Sequence, residues 1–171
     1  MKRTLIICCF LAVVLIQNIS SQTLGDVYTE KNAEFSISMP RGWQTMDLNQ
    51  KYLVVVGQTE NGFTPNITFA DEEYSGPISD YIDAVISILA TFYADFNVLN
   101  RANFATDSGL QGGYITLQGR LNDVSVRQRM YTFPNREKTK VIVITGTAPL
   151  NNGERFDPTF NESVKTFKWT R

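Results

Sequence analysis

The sequence predicts an α+β domain, a layered α/β/α sandwich in which helices flank a mainly antiparallel sheet. Three observations predict it. A single long apolar stripe at three- and four-residue steps stands in mid-chain, at Ile82, Val85, Ile86, Leu89, Phe92, Tyr93 and Phe96. Strand-like segments precede it and a longer series follows it, instead of strands and helices alternating. A second, shorter amphipathic segment closes the chain after Asp157-Pro158. With 43% hydrophobic and 19% charged residues among 171, there is apolar surface enough for one core.

The chain opens with Lys2 and Arg3, then 12 unbroken apolar residues from Leu5 to Ile16, then Gln17-Asn18-Ile19-Ser20-Ser21. That order predicts a secretory signal peptide over residues 1–21, cleaved near Ser21. The apolar run falls short of the roughly 20 residues that a membrane-spanning helix needs. Ile7 before Cys8, with little apolar segment ahead of it, argues against a lipid anchor. Residues 22–171 then form a single domain, because no linker, repeat or low-complexity stretch divides them.

Phe35-Ser36-Ile37-Ser38-Met39 alternates with period two and reads as a half-buried strand ended by the turn Pro40-Arg41-Gly42, with Trp43 packing back onto the core. Tyr52 to Val56 and Asn66 to Ala70 are two further strands, separated by the turn Glu60-Asn61-Gly62 and expected to pair. Pro77 and Ser79 suit the entry of the long helix, and Asp80 and Asp83 set negative charge against the positive end of its dipole. After it, Asn97 to Ala105 is extended.

Gly109 to Leu121 and Val124 to Phe133 make a hairpin with the two-residue loop Asn122-Asp123. Such a loop fixes a register. Leu121 faces Val124, Gly119 faces Val126, Leu117 faces Gln128 and Ile115 faces Met130; the other face carries Gln118 with Arg127, Thr116 with Arg129 and Tyr114 with Tyr131. Lys140 to Thr145 is β-branched throughout its middle, as expected of a central strand covered on both faces. In the closing helix Asp157 is expected at the N-cap, Pro158 at the first helical position, and Phe160, Val164 and Phe167 on one face.

Composition excludes whole chemistries. There is no histidine, and both cysteines, Cys8 and Cys9, fall in the expected leader. Residues 22–171 therefore cannot run a Ser-His-Asp or Cys-His mechanism, build a conventional zinc site, bind haem through histidine or form disulfides. No Gly-x-Ser-x-Gly elbow, phosphate-binding glycine loop or calcium loop spacing occurs. Without Lys2 and Arg3 there remain 14 basic groups against 17 acidic ones, a net charge of −3 that does not favour nucleic acid.

From Phe35-Ser36-Ile37-Ser38-Met39-Pro40-Arg41-Gly42-Trp43 through the strand, helix and strand series to Phe167-Lys168-Trp169, residues 27–169 resemble the PsbP-like family. The opening segment is similar to that family's strand and Pro-x-Gly-Trp entry. The resemblance implies an α/β/α sandwich around an antiparallel sheet that works mostly by docking to other proteins, with no shared catalytic machinery; no cofactor is expected for this chain. The histidines proposed as metal contacts in plant members have no counterpart here, so no metal site is carried over.

Charge is segregated along the chain. Residues 22–100 hold 3 basic and 11 acidic groups, and residues 101–171 hold 11 basic and 6 acidic. The candidate binding residues are therefore Tyr114, Arg120, Arg127, Arg129 and Tyr131, with Arg136 nearby, gathered on one hairpin face where guanidinium forks would meet an anionic partner. A solvated sheet face is the plainer alternative. Asp71-Glu72-Glu73 is a second, weaker candidate for a hard cation such as calcium. The reading that results is an exported, non-enzymatic binding or assembly module docking to a protein partner in the bacterial envelope or outside the cell. Its alternatives are a carboxylate-dependent hydrolase, and a small carrier holding an apolar ligand between Phe92, Tyr93 and Phe96.

Overall fold

The β-branched segments after the long helix and those before it end up in one sheet. A computed structural model describes residues 24–31 and 34–170; the expected leader, residues 1–21, lies outside the described residues. In chain order the elements are β1 (Leu24–Thr29), β2 (Phe35–Pro40), β3 (Gln44–Met46), β4 (Val54–Val56), β5 (Asn66–Glu73), α1 (Ile78–Phe92), β6 (Ala94–Ala105), β7 (Gln111–Leu121), β8 (Val124–Pro134), β9 (Lys140–Pro149), a 3-10 turn (Gly153–Phe156), α2 (Asp157–Lys165) and β10 (Lys168–Trp169). Seven strands form one sheet in the order β3-β4-β5-β9-β8-β7-β6, and β2 stands between β1 and β10 in a second, three-stranded sheet. Every strand pairing among the described residues is antiparallel.

The expected hairpin register holds at all its pairs, from Leu121↔Val124 through Leu117↔Gln128 to Tyr114↔Tyr131. Its cause is local: Asn122 and Asp123 both take the left-handed conformation, φ 47° and 66°, that a two-residue loop requires. Val55 pairs with Ile67 as expected. The strand Lys140–Pro149 occupies the middle of the seven, with Val141, Ile142, Val143 and Ile144 all buried. A strand covered on both faces must be apolar on both, which is what its unbroken β-branched run encodes.

One face of the large sheet, carrying Ile115, Leu117, Val126, Val141 and Val143, packs under α1 through Tyr81 and Ile82. The opposite face, carrying Ile67, Phe69, Tyr131, Phe133, Ile142 and Ile144, meets Phe160 and Val164 of α2 together with Phe35 and Ile37 of β2. The expected sandwich is therefore corrected. The layer opposite α1 is mixed, a small sheet beside a short helix, because β2 carries its own buried face and pairs with β1 and β10 instead of joining the large sheet. Ser163 of α2 and Thr166 just after it bind the backbone of β2. The Ser163 hydroxyl donates to the Ser38 carbonyl at 2.6 Å, and the Ser38 amide donates to Thr166 Oγ1 at 2.7 Å.

Two boundaries differ from expectation. Helix α1 stops at Phe92, because Tyr93 is extended (φ −98°, ψ 129°) and Asp95 turns left-handed (φ 55°) to start β6. The apolar stripe runs on through Tyr93 and Phe96 because those rings fold against the same cluster, their centroids 6.1 Å apart. Asp157 is not an N-cap: the 3-10 turn leads into α2, Asp157 is already helical (φ −55°, ψ −44°), and its carboxylate is engaged elsewhere. Gly146 on β9 lets the Phe160 ring lie directly on the sheet, where a Cβ would sit 2.5 Å from it.

Candidate functional site

Alternation along β8 sends Arg127, Arg129 and Tyr131 to one face, but that face lies under the 3-10 turn and α2. Arg127 donates through Nε (3.2 Å) and a terminal nitrogen (2.6 Å) to the two carboxylate oxygens of Asp157. Arg129 is 3.4 Å from the same carboxylate, and its guanidinium sits 4.5 Å from the centre of the Tyr114 ring. Tyr131 is fully buried and its hydroxyl donates to Asn161 Oδ1 at 2.6 Å. Burial pushes that hydroxyl well above its ordinary pKa, so it stays neutral. Tyr114 is half-buried and accepts a 2.9 Å hydrogen bond from Asn100 of β6.

The five candidate residues do share a face, yet they do not form an open docking patch. Arg129 and Tyr131 are buried, and Arg127 is closed over by Asp157. Arg120 alone is exposed, at the hairpin tip, 3.6 Å from Asp95 and 3.3 Å from Asp123. Arg136 is exposed in the β8–β9 turn, at the other end of the strand. The physical reason is that the face continuing through Tyr131 and Phe133 is core, so the arginines on it must be covered too and need an acid placed against them. That acid is Asp157. Its signal was visible in the sequence as an acid opening an amphipathic helix.

The charge segregation has the same explanation. Arg101 pairs with Asp83, Arg120 with Asp95, Lys140 with Asp71 and Arg155 with Glu60, each joining the basic second half to the acidic first half. These pairs tie distant parts of one chain together.

Asp71, expected at a cation loop, is enclosed by cations of the protein itself. Lys51 and the Tyr52 hydroxyl (2.9 Å) donate to one oxygen, and Lys140 lies 3.1 Å from the other. Among the described residues no group of three or more acidic side chains is placed to hold a metal ion. Burial works to raise the Asp71 pKa, but the bonds from Lys51, Tyr52 and Lys140 outweigh it and hold the carboxyl below its ordinary value. Burial pushes the Tyr52 hydroxyl up to about 12, so it remains a donor. Because the folded pKa is the lower one, this stabilisation is complete above the unfolded value of about 4 and fades as pH falls through the folded one. Urea midpoints should therefore show Asp71→Asn less stable than wild type at neutral pH, with the difference closing in acid. A difference independent of pH would contradict the arrangement.

An open groove of about 510 Å³ lies between the start of α1 and the edge of the large sheet, lined by Ile78, Ser79, Ile82, Arg101, Asn103 and Gly113 among others. The residues expected to line a carrier pocket go elsewhere. Phe92 is 66% exposed, while Tyr93 is buried with its hydroxyl on Gln128 at 2.8 Å. Sequence reasoning missed the groove, because only the antiparallel order of the sheet brings β6 to the edge beside α1. A smaller open cleft, about 260 Å³, is lined by Glu34, Glu137, Lys140, Asn135 and Trp169. Among the described residues no helix is long and apolar enough to cross a membrane.

No protein-family model matches the chain, and no curated protein matches it in sequence. Solved structures do match it in shape. It is similar to the cyanobacterial PsbP (CyanoP) of Synechocystis sp. PCC 6803, with TM-score 0.58 and 15% identity over 89% of this chain and 95% of that one. It is similar to LpqN of Mycobacterium tuberculosis, described as involved in cell envelope biogenesis, with TM-score 0.60 and 12% identity over 80% and 83%. The Ran-binding protein Mog1p of Saccharomyces cerevisiae gives TM-score 0.60 and 11% identity over 86% and 97%. At such identities the likeness concerns the fold, and the fold of this chain is PsbP-like: α+β, built on a largely antiparallel sheet.

Proposed function

We propose that the chain is an exported, non-enzymatic binding or assembly module, its leader removed near Ser21 and residues 22–171 forming one domain. It docks a protein partner, in the bacterial envelope or outside the cell, along the open edge of β6. The observation that carries this reading is that β6, 12 residues long, is the last strand of its sheet among the described residues. Its first half is bulged, but from Asn100 to Ala105 it keeps regular register with β7, and there it borders the 510 Å³ groove. An extended segment added to that edge would bind through its main chain and place alternate side chains in the groove over Ile78 and Ile82. That a Ran-binding protein and a protein involved in cell envelope biogenesis share this fold supports a binding role.

The hairpin residues take two roles in this reading. Arg120 meets acidic groups of the partner at the bulged end of β6. Tyr114, Arg127, Arg129 and Tyr131 hold the edge rigid from behind, through the Asn100–Tyr114 bond. Proline substitution tests the edge. Neighbouring residues of a strand turn their N–H groups to opposite sides, so of Ala102→Pro and Asn103→Pro one breaks the ladder to β7 and the other removes only an outer donor. The variant that keeps wild-type stability should lose the proteins captured by wild type from envelope extract. An unchanged set would refute the edge.

One observation favours a second reading, a carboxylate-dependent hydrolase: Glu34 and Glu137 line the same cleft. Turnover of a small substrate that disappears in Glu34→Gln would establish it in place of the first.

A further inference from the structure

Helix α1 buries one side against the large sheet through Tyr81 and Ile82, and its other side is unusual for a solvated helix. From Ala84 to Phe92 it contains no charged residue. Its two hydroxyls there are turned back onto the helix itself, Ser87 donating to the Asp83 carbonyl (2.9 Å) and Thr91 to the Ile88 carbonyl (2.7 Å). Ala84, Ile88 and Phe92, spaced four apart, form one exposed ridge, with Ile88 57% and Phe92 66% exposed. Beyond the end of the helix Ala94 pairs with Arg120, next to the exposed apolar pair Leu121 and Val124 at the hairpin tip. Four of the eight large hydrophobics exposed among the described residues thus lie on α1 or at that tip, and exposed apolar side chains gathered on one element are of the kind that marks an interface.

We propose that this ridge is where two copies of the chain associate, with their α1 helices antiparallel about a two-fold axis at Ile88. The ridge is self-complementary in that arrangement. Read in one direction it runs small, medium, large, so reversing a second copy sets each Phe92 over the partner copy's small Ala84 and brings the two Ile88 side chains together. Ridges of i±4 spacing interlock in the commonest helix packing, and a two-fold interface requires a surface that matches itself. No like charges are forced together, since the stripe has none. A membrane surface fits less well, because the start of α1 carries Asp80 and Asp83 and the helix has none of the basic residues that anionic lipid attracts. The helix, about 22 Å long, offers less than the roughly 800 Å² per partner of a standard interface, so the dimer is weak and reversible.

Sedimentation of the purified protein over a concentration series tests this without any other partner. Wild type should show a reversible monomer–dimer equilibrium, and Ile88→Asp should raise the dissociation constant by about tenfold or more. Ala84→Phe and Phe92→Ala should each weaken the dimer, and the double variant Ala84→Phe/Phe92→Ala should restore it, because the exchange preserves the large-on-small contact across the axis. All three positions are exposed, so thermal unfolding of the dilute variants should match wild type. Wild type that stays monomeric, a double variant no better than the single ones, or vesicle binding of wild type without dimerisation would each overturn the proposal.

Discussion

Replacing Asp157 with alanine should cost about 3–5 kcal/mol of folding stability, the loss typical of breaking a buried ion pair by removing one partner. Asp157 is the shared acceptor for Arg127 and Arg129, and its side chain is only 18% exposed. Without it, the two guanidiniums under the 3-10 turn and α2 lose the carboxylate they share, and Glu154 remains as the charge nearest Arg127. Arg129 is the more severely placed, since its Nε already lacks a hydrogen-bond partner. Asp157→Asn keeps the shape and an acceptor but not the charge, so it should lose less. Urea denaturation measures both. A loss within about 1 kcal/mol for the alanine variant, the range of an exposed surface pair, would mean that water reaches the arginines and that the cluster is not the buried joint described above.

A loss of similar size, about 3–5 kcal/mol, is expected for Phe35→Ala, from removal of a large core side chain whose space cannot fully collapse. Phe35 is fully buried on β2, and its ring meets those of Tyr28, Tyr52, Phe69, Phe167 and Trp169 at centroid distances of 5.3–6.3 Å. These partners come from both sheets, from the loop before β4 and from the segment after α2, so this ring helps join the small sheet to the large one. Hydrogen exchange should therefore show β1, β2 and β10 losing protection well before β8 and β9. Equal loss across both sheets would show that the small sheet is not an outer unit held on by this cluster.

How much of this was legible in the sequence depended on whether the signal was local. The Asn122-Asp123 loop and the alternation on either side of it carry the hairpin register within a few residues, and that register is observed pair for pair. The unbroken β-branched run at Lys140–Thr145 likewise announces a strand covered on both faces. The end of α1 was not legible, since Tyr93 and Phe96 continue the apolar spacing although the backbone has already turned at Asp95. Nor was the three-stranded sheet, whose partner strand Lys168–Trp169 is two residues long and becomes a strand only because β2 lies beside it.

The candidate site shows the same division. Register placed Tyr114, Arg127, Arg129 and Tyr131 on one face, and they are on one face. What covers that face is a matter of tertiary order, and α2 brings Asp157 onto it from 28 residues beyond Arg129. Segregated charge read as a docking signal is satisfied largely within the fold. The groove beside β6 had no local signal at all, because it exists only once β6 becomes an edge and the start of α1 lies along it.

The most direct measurement is amide hydrogen exchange along β6, taken on the free protein and on its complex with a captured partner. If the protein works by lending its sheet edge, alternate amides between Asn100 and Ala105 gain protection in the complex while those of β3, at the far edge, do not. Unchanged exchange along β6, with protection appearing at some other surface, would contradict it.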